Sequence, residues 1–64
     1  MEKHEALDYI SSVLASRISD FHESAKKNPT LQENSNDAIS KIYNAAEALE
    51  IRYDVATKVR QLYS

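Results

Sequence analysis

Apolar side chains recur along the first part of the chain at intervals of one helical turn: Leu7, Ile10, Leu14, Ile18, Phe21 and Ala25 follow one another three or four residues apart. At about 100° per residue these six fall within a sector of about 80°, an amphipathic stripe of the kind that docks on one neighbour. Glu2, Glu5 and Asp8 near its start and Lys26 and Lys27 at its end complement the helix dipole. The pattern predicts a helix over about residues 2–27.

Pro29 lacks an amide hydrogen and disfavours helical geometry in the residue before it, so the helix ends near Lys27. The following stretch is polar and reads as a loop over about 28–35. Thr30 and Glu33 have capping-box spacing for a short helical turn, but Ser35 or Asn36 is the cleaner cap for a long second helix over about 36–62. Along it Ile42, Leu49, Ala56 and Tyr63 repeat every seven residues, with Ala38, Ala45, Arg52 and Val59 between them. Folding the two helices together pairs Phe21 with Ile42, Leu14 with Leu49, Leu7 with Ala56 and Ile10 with Tyr53. Every pair is apolar or aromatic. The expected fold is therefore all-α, an antiparallel two-helix hairpin forming a single domain over residues 1–64.

One hairpin leaves apolar side chains over. Ala48, Ile51, Val55 and Leu62 form a second row about 120° from the seam, and Tyr9 and Val13, with Ala6, form a second flank on the first helix. A contiguous apolar surplus marks an association surface. Tyr9, Val13, Ala48, Ile51, Val55, Val59 and Leu62 are thus the expected partner interface, gathered at the open end of the hairpin. The occupant would be a second copy, making a homodimeric four-helix bundle, or a heterologous protein.

Size sharpens this expectation. A chain of 64 residues buries only about 60% of the surface its unfolded form exposes, so its core is marginal alone. The sequence has no cysteine, which removes disulfides and thiolate metal sites as supplements. It also has no glycine, so phosphate loops, nucleophile elbows and dinucleotide fingerprints are excluded. Eight Lys and Arg against ten Asp and Glu give a net charge of −2, spread evenly over both halves, which argues against a nucleic-acid binder. No apolar run reaches the roughly 18 residues of a membrane span, and the N-terminus lacks a signal-peptide core, so a cytoplasmic protein is expected.

Candidate chemistry is thin. His4 and Asp8 share a helix face, but His22 lies about 27 Å from His4 along a helix and cannot complete a metal site. Two helices offer no pocket where nucleophile, base and oxyanion donor converge, so neither catalysis nor a cofactor is expected. Tyr53 and Tyr63 fall on or beside the seam as packing residues, and Tyr43 has no assigned place. Arg17 and Arg52 sit in or beside the seam, either snorkelling to water or reaching a carboxylate on another chain.

The expected function is that of a small non-enzymatic interaction protein: an adaptor, co-chaperone or regulator. The alternative is a nucleic-acid-associated regulator of the helical-hairpin dimer type, whose basic face forms only in the dimer. In length and in two helices around a central break, the chain is similar to co-chaperones of secretion needles and to dimeric RNA-binding plasmid regulators. That likeness is architectural and assigns no residue a role.

Overall fold

A computed structural model describes residues 1–63. The described residues are helical and contain no strand. Helix α1 spans Lys3–Lys27, a 3-10 turn spans Pro29–Leu31, α2 spans Gln32–Ala48 and α3 spans Arg52–Tyr63. There are thus three helices where the heptad pattern predicts two.

α1 has the expected bounds, with Glu5 in its first turn and Lys26 and Lys27 in its last. The connection after it is shorter than expected. The Asn28 side chain accepts hydrogen bonds from the Thr30 amide at 3.2 Å and the Thr30 hydroxyl at 2.7 Å. Pro29 occupies the first position of the 3-10 turn, where no amide hydrogen is needed. That turn runs directly into α2 at Gln32. Ser35, a candidate cap in the sequence, instead lies buried inside α2.

The larger departure is at Leu49–Ile51, where the predicted long helix reverses. Glu50 adopts φ 61°, in the left-handed region that usually needs glycine. The Glu50 amide donates to the Glu47 carbonyl at 3.0 Å and the Ile51 amide to the Ala46 carbonyl at 2.9 Å. This is a Schellman ending, and its hydrophobic contact is present because Ala46 and Ile51 belong to one buried cluster. The Ile51 carbonyl then accepts from Val55 and opens α3. Burial of Ile51 offsets the strain at Glu50.

The reversal sends α3 back along α1 in the same direction. Glu50, Ile51 and Asp54 lie beside His4, Glu5, Leu7 and Asp8. Further on, Lys58, Gln61 and Leu62 lie beside Ser12, Ala15 and Ser16. Tyr63 reaches the His22 ring. The pairs Leu7 with Ala56 and Ile10 with Tyr53 required the opposite direction, and Tyr53 is accordingly 78% exposed. α1 packs against both α2 and α3 more extensively than those two pack on each other. Its length, about 37 Å at 1.5 Å per residue, sets the 40 Å long axis of the molecule.

Because α1 is flanked on two sides, its buried line is not the expected stripe. Ser11, Ala15, Ile18 and Ala25 are buried, while Leu7, Ile10 and Leu14 pack at the edge of the core. The line is rotated by roughly 55° toward α3. The small side chains of Ser11 and Ala15 let α3 approach closely, and the Ser11 hydroxyl is satisfied by the Leu7 carbonyl at 2.8 Å.

Candidate interaction surface

The seven expected interface residues divide between inside and outside. Ile51, Val55 and Val59 are 2%, 0% and 8% exposed and form the chain's own core with Ala15, Ile18 and Ala46. They are not surface, because α3 folds back and spends this row on α1. Tyr9, Val13 and Leu62 remain 64%, 48% and 54% exposed, and Ala48 is exposed at the end of α2.

Tyr9 and Val13 are one turn apart on the face of α1 opposite the core. Around the helix, Ser12 and Ser16 lie next to this pair. The same two serines, with Ala15, Lys58, Gln61 and Leu62, line a groove of about 220 Å³ between α1 and α3. Tyr9, Val13 and Leu62 thus belong to one side of the molecule. At 100° per residue, Glu5, Asp20 and Glu23 share the outer half of α1 with Tyr9 and Val13, as do Arg17, one turn beyond Val13, and Lys27 at its far end. Acidic groups outnumber basic ones on this face, with Glu5 one turn before Tyr9 and Arg17 one turn after Val13.

The second cleft lies at the other end of the α1–α3 contact. His4, Glu5, Leu7, Asp8, Glu50, Ile51 and Asp54 line a space of about 450 Å³ that is open to solvent. Asp8 is engaged by Lys58 at 3.0 Å. Beside the cleft, possible ligand atoms of Glu2, His4 and Glu5 lie within 4.8 Å of one another, all exposed. His4 Nδ1 is 3.3 Å from a Glu2 carboxylate oxygen. This trio differs from the candidate pair of His4 and Asp8 because Glu2 lies just before the helix and reaches back over its first turn. His22 takes no part and stacks edge-on against Tyr63, ring centroids 5.8 Å apart.

Both seam arginines have partners within the chain. Arg17 lies over the Phe21 ring, 5.5 Å from its centroid and one turn further along α1. Arg52 pairs with Glu47 at 2.9 Å and covers the Tyr43 ring at 5.5 Å, so one side chain spans the reversal from α3 to α2. This gives Tyr43 its place: half-buried against the core, with its open side under a guanidinium. Sequence spacing missed the contact because Arg52 and Tyr43 would lie on opposite faces of a continuous helix.

Among the described residues no helix is long and apolar enough to cross a membrane. No family profile, no curated protein and no solved structure matches the chain.

Proposed function

We propose that this is a small non-enzymatic interaction protein of adaptor or regulator type, docking the outer face of α1 and the end of α3 onto a basic amphipathic helix of a partner protein. The observation that carries this reading is the exposed Tyr9 and Val13 pair, on the same side of the molecule as Leu62 and sharing its face with the acidic Glu5, Asp20 and Glu23 against the basic Arg17 and Lys27. Tyrosine supplies a large contact area at low conformational cost and is enriched where interfaces concentrate their energy. Acidic rim groups steer a basic partner and reject an acidic one. Both clefts are open, and in the groove that holds Ser12, Ser16 and Lys58 the Ser12 hydroxyl donates to the Asp8 carbonyl while Lys58 is paired with the Asp8 carboxylate, which supports a binding role over catalysis.

The test is a titration of isotopically labelled protein with two designed amphipathic peptides that share an apolar stripe, one flanked by lysine and one by glutamate. The basic peptide is expected to move the amide resonances of Tyr9, Val13 and Leu62. Tyr9→Ala with Val13→Ala should weaken it about ten-fold or more, in the range of interface anchors. Equal binding of both peptides, or shifts confined to other residues, removes the proposal.

A further inference from the structure

We propose that the chain exchanges α3 with a second copy of itself, by straightening Leu49–Ile51 so that α2 and α3 become one helix from Gln32 to Tyr63. This does not rest on the docking reading above, which uses other residues. The seven-residue repeat of Ile42, Leu49, Ala56 and Tyr63 runs through the reversal without interruption. No glycine or proline marks the break, and Ala48, Leu49 and Glu50 are strong helix formers. The turn depends on a glutamate at φ 61°. Short connections under strain favour exchange, because straightening them relieves the strain while the exchanged element regains its contacts in the other copy.

Those contacts are separable from the hinge. Val55 and Val59 in the core and Lys58 on Asp8 bind α3 chiefly to α1. A second copy offers the same α1 surface, so the exchanged dimer rebuilds each of them between chains. The contacts that require the reversed turn are those of Arg52 with Glu47 and Tyr43 and that of Ile51 with Ala46. In a continuous helix Glu47 lies about 140° around from Arg52, and Tyr43 lies about 180° around and ~13 Å along the axis. Arg52 therefore acts as a latch for the closed form, and Glu50 as the strain that opposes it.

Two substitutions push the balance in opposite directions without touching the core. Arg52→Ala removes the latch and improves helix propensity, so it favours exchange. Glu50→Gly relaxes the turn and weakens the straight helix, so it favours the closed monomer. Sedimentation equilibrium across micromolar to millimolar protein is expected to show dimer forming most readily in R52A, less in the parent and least in E50G. Each dimer contains two hinges, so each step should change the dimerisation constant by about ten-fold or more.

A second measurement separates exchange from ordinary association. The chain has no native cysteine, so a single pair of spin labels can be placed at exposed Asn36 and Arg60 through N36C and R60C. Diluted among unlabelled chains, the pair should read about 36 Å in the dimer, the span of a straight helix, and roughly 20 Å in the monomer. A dimer that keeps the short distance overturns the proposal. So does a parent that dimerises no more readily than E50G, or an R52A variant that stays monomeric at millimolar concentration.

Discussion

The two places where the chain changes direction are built in opposite ways. Between α1 and α2, Asn28 and Pro29 fix the turn locally: one side chain caps the Thr30 amide and hydroxyl, and a ring occupies the position where an amide hydrogen is not needed. Between α2 and α3 no residue prefers the conformation it adopts. Glu50 enters the left-handed region because Ile51, Val55 and Val59 reach Ala15 and Ile18 only if the helix stops there. The first reversal is made by its own residues. The second is imposed by the core, and it shows that burial of a few side chains can break a helix whose local sequence favours continuation.

The sharpest challenge to this contrast is Val55→Asp. An unpaired carboxylate at a fully buried position should cost at least about 3 kcal/mol and undock α3. Amide hydrogen exchange should then show protection lost over residues 51–63 while the first turns of α2 keep theirs. Equal loss at both junctions would mean that the two reversals form together.

Next in size is Asn28→Ala, which removes the cap at the first junction and should lower stability by about 1 kcal/mol in urea unfolding. No change would leave Pro29 as the whole cause of that turn. Glu50→Gly, studied at low concentration where the chain is monomeric, should raise stability by about 0.5–1 kcal/mol, since release of the left-handed strain exceeds the added freedom of the unfolded chain. A loss there would show that φ 61° carries no strain. The smallest effect is expected from Arg52→Lys: the charge facing Glu47 stays while the planar stack on Tyr43 goes, at a cost of about 0.5 kcal/mol or less in exposed surroundings. A cost above that would mark the ring contact as the main latch.

These contrasts also explain what could be read in the sequence. The bounds of α1 were legible because charge, apolar period and Pro29 all agree on them. The first connection was visible as a break but looked longer than it is, since the Asn28 cap begins a 3-10 turn that flows into α2. The second reversal was not legible, because Ala48, Leu49 and Glu50 signal helix and the cause lies in Ala15 and Ile18, more than thirty positions earlier in the chain. One helix therefore looked like a continuous seam with a spare row, and that row was assigned to a partner. Tyr9, Val13 and Leu62 kept their exposed character, whereas Ile51, Val55 and Val59 changed from surface to core. The signal that could have shown this was the pair of small residues Ser11 and Ala15, one turn apart and buried. Such a gap in a stripe of larger side chains is where a second helix can come close.

The conformation of Glu50 has a genetic consequence. Glutamate and glycine codons differ at one base, so a single nucleotide substitution at codon 50 would supply the residue that relaxes the reversal. The same codon can also mutate in one step to lysine or alanine, which retain a Cβ and so retain the strain. Sequence variation at this position would consequently sort related chains by architecture: glycine would favour the folded-back form, whereas residues such as lysine or alanine would keep the chain within reach of the straight one.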